Sequence, residues 1–131
     1  MACFWNALNA KLHKEDLNTL LNGQPYQPQR LAEALRRVGQ SHALTPETPV
    51  TWQGQRLRAK EVQEHTQWIR EYDVRTVHHG KWVSIQDPHL LVVCSHLNIN
   101  IHHRYLSTTI KYEVPSPRYT IVLTSDRGHI Q

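Results

Sequence analysis

Helical spacing up to about Leu97 and strand alternation beyond it predict an α+β fold, with N-terminal helices packed on a small, mainly antiparallel C-terminal sheet. Three observations carry that prediction. Apolar residues recur three and four positions apart in five separate stretches before Leu97. After Asn98 the period falls to two. The 131 residues, 39% of them apolar, suffice for one domain over residues 1–131 whose core needs no disulfide or metal.

The first helix is predicted from Cys3 to about Leu12, because Phe4, Leu8 and Leu12 share one face with Trp5 and Ala7 beside them. Glu15-Asp16 open a second helix edged by Leu17, Leu20 and Leu21, and Asn22-Gly23 stop it. Gln24-Pro25-Tyr26-Gln27-Pro28 is a proline-punctuated loop. Leu31, Ala34, Leu35 and Val38 align on a third helix over about Gln29–Val38, which Gly39 is expected to end. Ser41–Thr51, with Pro46 and Pro49, reads as irregular and exposed, and Gln53-Gly54 as a turn. Val62, His65, Ile69 and Tyr72 mark a helix from Lys60 to about Tyr72, and His79-Gly80 breaks the chain before Lys81-Trp82-Val83. Asp87-Pro88 is a cap and first turn for a helix reaching about Leu97, with Leu90, Leu91, Val93 and Cys94 apolar enough for burial. Asn98–His102, Ile110–Val114 and Tyr119–Thr124 read as strands, the second ended by Pro115-Ser116-Pro117.

Composition narrows the function classes. No apolar stretch approaches a membrane span and no signal peptide is evident, so the reading is a cytoplasmic, reduced protein without a membrane partner. The formal charge of +4 is spread along the chain, and Arg36-Arg37 and Arg56/Arg58/Lys60 have acidic neighbours. A solvated charged face accounts for these cations, and no nucleic-acid partner is expected. Ten histidines make the charge strongly pH-dependent between about pH 5 and 7.5. The pairs His78-His79 and His102-His103 put adjacent residues on opposite sides of a strand, and neither HExxH nor CxxC occurs, so no metal and no cofactor is expected.

The chemistry centres on Cys3-Phe4-Trp5-Asn6-Ala7-Leu8. A cysteine in the first turn of a helix lies where unpaired backbone N–H groups and the helix dipole favour an anion, which populates a thiolate nucleophile. Gly128-His129, after the run Tyr119–Leu123 and a polar turn, supplies a general base. Gln131 lies two residues on and shares a strand face with His129, so its side-chain carbonyl can hold the imidazole; Asp126 and the chain's own C-terminal carboxylate are the alternative acceptors. The Cys3 backbone N–H is one oxyanion donor, and the second has no clear place in the sequence, Asn6 being expected to point away or into packing. Cys94, inside an apolar run, is expected in the core.

Cysteine on an early helix and histidine on a late strand is the chain order of papain-type cysteine hydrolases. More narrowly, Cys3–Leu8 resembles the nucleophile motif of the OTU (ovarian tumour) cysteine proteases: Cys, two large apolar residues, any residue, a small one, then Leu or Ile. Ile121-Val122-Leu123 leading to Gly128-His129 resembles that family's last strands and catalytic histidine. Gly80-Lys81-Trp82 and Leu97-Asn98-Ile99-Asn100-Ile101 resemble its middle. Two positions depart from the pattern: Met1-Ala2 stand where the family carries an Asp-Gly loop, and Gln131 stands where it carries Asp or Asn. The resemblance implies a monomeric deubiquitinase acting on ubiquitin or a ubiquitin-like modifier, with Cys3, His129 and Gln131 as its site. A chain this short fits a viral protease or a secreted bacterial effector working in host cytoplasm. The departures keep two alternatives open: an impaired ubiquitin-binding module of the same fold, and another Cys–His chemistry such as deamidation or acyl transfer.

Overall fold

The computed structural model describes residues 2–77, 87–126 and 129–131, with the side chains of Asp87 and His129 outside that description. The α+β class is realised. Five helices, α1 (Cys3–Lys11), α2 (Lys14–Leu20), α3 (Pro28–Ser41), α4 (Ala59–Glu71) and α5 (Asp87–Leu97), are found among the described residues. The strands are β1 (Thr51–Trp52), β2 (Gln55–Arg56), β3 (Asn100–Tyr105), β4 (Thr108–Glu113), β5 (Thr120–Asp126) and β6 (His129–Ile130). They form one sheet in the order β2-β1-β4-β3-β5-β6.

Neighbouring strands are antiparallel except β3 and β5, which run parallel from Asn100↔Thr120 to Tyr105↔Ser125. The parallel pair follows from the connection after β4. That connection carries the chain past the start of β3, so β5 lies on the far side of β3 from β4 and has its direction. The crossing is tied down: Arg118 N–H donates to Asn98 O (2.8 Å), Asn98 Nδ2 to Ser116 O (3.1 Å), and Val114 N–H to Asn100 Oδ1 (2.8 Å). Asp16 of α2 clamps it from outside. Its buried carboxylate accepts from the Tyr119 hydroxyl and from Arg118 Nη1 (3.2 Å), while the His13 ring stacks on Tyr119 with centroids 3.5 Å apart.

Alternation decides which face of the sheet meets the helices. Ile101, Tyr112, Ile121, Leu123 and Ile130 are all within 5% of complete burial, whereas Lys111 and Thr124 between them are exposed. His102 and His103 part accordingly: His103 is buried against Ser125, and half-buried His102 meets Glu113 at 3.4 Å. Helices α1 and α5 lie against the sheet, α3 packs on both, and α4 packs on α3 and α5. Fully burying each core Leu or Ile contributes about 1.5–3 kcal/mol against chain entropy. Cys94 is among these buried residues, and burial pushes its thiol pKa well up.

One expectation is corrected and one is extended. Gly39 does not end α3, which continues to Ser41; it is buried, and a Cβ there would come within 3.1 Å of Ile69 Cγ2. The glycine is spent on the close approach of α3 to α4 rather than on a cap. The Gln53-Gly54 turn, with both residues at positive φ, joins two short strands that extend the sheet, where only a turn is legible in the sequence. The His79-Gly80 break, Lys81-Trp82-Val83 and the pair His78-His79 fall outside the described residues. Among the described residues, no helix is long and apolar enough to cross a membrane.

Candidate active site

The site grows from α1, whose first turn is the most tightly anchored part of the helix. Phe4, Trp5, Ala7 and Leu8 are buried, which leaves Cys3 half-buried at the helix start. Phe4 and Trp5 meet edge to face at 4.9 Å. Trp5 in turn packs on Tyr72 of the segment after α4 (5.9 Å) and on His89 of α5 (5.0 Å). His89 is wholly buried, with Trp68 at 5.1 Å, Tyr72 at 4.8 Å and Phe4 at 6.3 Å completing an aromatic surround. Burial pushes its pKa down to about 3, so the ring is neutral at physiological pH and behaves as another core aromatic.

Beside this anchor, a groove of about 710 Å³ runs between α1 and the end of the sheet. From α1 it is lined by Cys3, Asn6 and Ala10, at one-turn spacing, and from the sheet by Thr124, Ile130 and Gln131. Tertiary structure therefore brings Cys3 and Gln131, at opposite ends of the sequence, onto one groove. Gln131 is tied into the sheet: it donates its backbone N–H to Thr124 O (2.8 Å) and accepts from Thr124 N–H (2.7 Å). The backbone of His129 lies in β6, in register with exposed Asp126; its side chain lies outside the described residues.

Asn6 is exposed and lines the groove one turn after Cys3. Side chains on a helix lean toward its N-terminus, so Asn6 leans back over the turn that carries Cys3. Its Oδ1 accepts a 2.6 Å hydrogen bond from the Tyr26 hydroxyl, whose pKa burial pushes up to about 12, keeping the donor proton in place. With Oδ1 engaged, the amide's remaining polar face is its Nδ2 donor. The first intrahelical bond runs from Asn6 N–H to Ala2 O (2.9 Å), so the amides of the preceding turn point out of the helix end.

Two buried polar groups near the site were not legible in the sequence. His103 Nε2 and Ser125 Oγ are 2.6 Å apart, Ser125 being in register with Ile130 of β6. Burial lowers the pKa of His103, as it does for His65 and His96. The strands predicted over Asn98–His102 and Tyr119–Thr124 each stop one residue short of this pair, and only the parallel register sets the two polar residues together. His89 carries no sequence signal, because the rings around it come from two other segments, the start of α1 and the end of α4.

Among the described residues, no group of three or more His, Cys, Asp and Glu side chains is placed to hold a metal ion. No disulfide joins Cys3 to Cys94. The fold and groove define an α+β domain with a cysteine-bearing helix start set against a terminal strand. Comparison with known proteins gives no match to a family model, a curated protein or a solved structure.

Proposed function

We propose that the chain is a cysteine hydrolase of the papain-like OTU type that cleaves the isopeptide bond between ubiquitin, or a related modifier, and lysine. The observation supporting this reading is the groove itself, which joins the half-buried thiol at the start of α1 to the strand pair that carries His129 and Gln131. The Cys3 thiolate attacks the scissile carbonyl carbon. The tetrahedral oxyanion is held by the outward-pointing amides at the start of α1 and by Asn6 Nδ2, the latter oriented by Tyr26. His129 gives its proton to the departing lysine amine as the C–N bond breaks, leaving a thioester on Cys3. Water, losing a proton to His129, then adds to the thioester, and the carboxylate product leaves as the thiol is restored. Gln131 accepts from the imidazole and keeps it turned toward the sulfur.

The test is incubation with ubiquitin carrying a C-terminal electrophile, followed by peptide mass spectrometry. The expected result is a one-to-one adduct on Cys3, lost in Cys3→Ala and absent from Cys94. Binding without an adduct would replace the hydrolase by a modifier-binding module. No binding and no adduct would reject the modifier as substrate.

A further inference from the structure

At the opposite edge of the sheet from β6, the β1–β2 hairpin faces the first two turns of α4 across a groove of about 360 Å³. Trp52 lies on this groove with 38% of its surface exposed, one of only three large hydrophobic residues so exposed among those described. Arg56, Arg58 and Lys60 line the same groove and are all exposed. None of the three forms an ion pair with another described residue. Leu57, between the arginines, is buried, so Arg56 and Arg58 leave an extended segment on its outer side, roughly 7 Å apart as alternate residues.

Two carboxylates, Glu61 and Glu64, share the lining with the three cations, so the groove keeps one net positive charge. Glu61 already accepts the Arg58 backbone N–H at 3.0 Å, closing the start of α4. The hairpin is held firmly, because the Gln53 side chain accepts from Lys111 N–H (2.9 Å) and donates to Thr109 O (3.3 Å) across the neighbouring strand. Trp52 is therefore presented on an anchored platform.

We propose that this groove binds a single strand of nucleic acid, one base stacking on Trp52 while Arg56, Arg58 and Lys60 contact successive backbone phosphates. Charge complementarity calls for a polyanion. The exposed indole favours a nucleic acid, in which every nucleotide carries a base that can stack upon it. Two arginines at alternate extended positions match the repeat of an extended phosphodiester backbone, and their forked guanidinium groups suit phosphate oxygens. The surface combines aromatic and basic groups in the manner of sequence-tolerant strand binders, although here the tertiary fold, not a contiguous motif, assembles it. It stands against the reading of Arg56/Arg58/Lys60 as a solvated charged face. It is independent of the hydrolase site, which lies at the other edge of the sheet.

The experiment is fluorescence anisotropy of a labelled 20-nucleotide oligo(dT) titrated with the full chain at low salt. The expected dissociation constant is on the order of 1–100 µM, rising steeply with salt. Trp52→Leu keeps an apolar side chain but cannot stack, and should weaken binding roughly tenfold, whereas Trp52→Phe should keep most of it. Arg56→Ala and Arg58→Ala should each lower the salt slope by about 1, and Glu64→Gln should tighten binding. Circular dichroism of each variant checks that the hairpin change leaves the fold intact. No binding at low salt would overturn the proposal. So would equal binding by Trp52→Leu, which would remove the base from the indole, or competition by poly-glutamate as effective as by unlabelled oligo(dT), which would assign the groove to acidic protein segments.

Discussion

The buried His89 makes acid stability the sharpest physical test of this fold. Folded, the imidazole sits among Phe4, Trp5, Trp68 and Tyr72 with its pKa pushed down to about 3; in an unfolded chain it titrates near 6.5. Between those values the unfolded state binds a proton that the folded state refuses, so stability is full above about pH 6.5 and falls as pH drops toward 3. The slope for one such group is roughly 1–1.5 kcal/mol per pH unit, or roughly 2–3 kcal/mol between pH 6.5 and 4.5. That is a large share of the roughly 5–15 kcal/mol available to a domain of this kind. His65, His96 and His103, also held low by burial, act with the same sign. The perturbation is His89→Phe, which keeps a ring in the surround but removes the titrating group. Urea unfolding followed by Trp fluorescence at half-unit intervals from pH 7.5 to 4.5 reads the slope directly. The variant should lose about one proton's worth of pH dependence, whatever its stability at pH 7.5. Equal slopes for the two proteins would refute the reasoning and mean that His89 accepts a proton in place.

The remaining predictions concern the site. Cys3→Ala should abolish modifier hydrolysis in a fluorogenic assay with little change in melting temperature, while Cys94→Ala should keep turnover and cost on the order of 1 kcal/mol of stability from its fully buried position. Asn6→Ala should lower kcat roughly 10²- to 10³-fold with KM little changed, as loss of an oxyanion donor does, and Tyr26→Phe should cost less because it only frees the amide to rotate. Equal effects of the two would point to a packing role instead. Gln131→Ala should lower kcat roughly 10- to 100-fold and Gln131→Asp keep or raise it, since a carboxylate holds an imidazolium better than an amide; unchanged kcat and pH profile in both would move the acceptor role to Asp126, in register with His129.

What the sequence determined by itself is local. Helix α1 begins at Cys3, α4 and α5 differ from their predicted limits by about one residue, and the Gln53-Gly54 turn forms, because caps, turns and apolar period act within a few residues. The opposite fates of His102 and His103 follow from strand alternation alone. The burial of Cys94 was legible for a different reason, since it closes the apolar run Leu90–Cys94 on a helix, which has nowhere else to go. Tertiary structure alone decided the rest. Gly39 carries the same local signal whether it ends a helix or lets two helices touch, and only the neighbouring Ile69 distinguishes the two. The parallel β3–β5 register, which joins His103 to Ser125, depends on where the connection after β4 crosses the sheet. The groove shared by Cys3 and Gln131, the aromatic surround of His89 and the meeting of Trp52 with Arg58 and Lys60 all join residues from separate elements. Periodicity tells a residue which face it belongs to; only packing tells it what lies opposite.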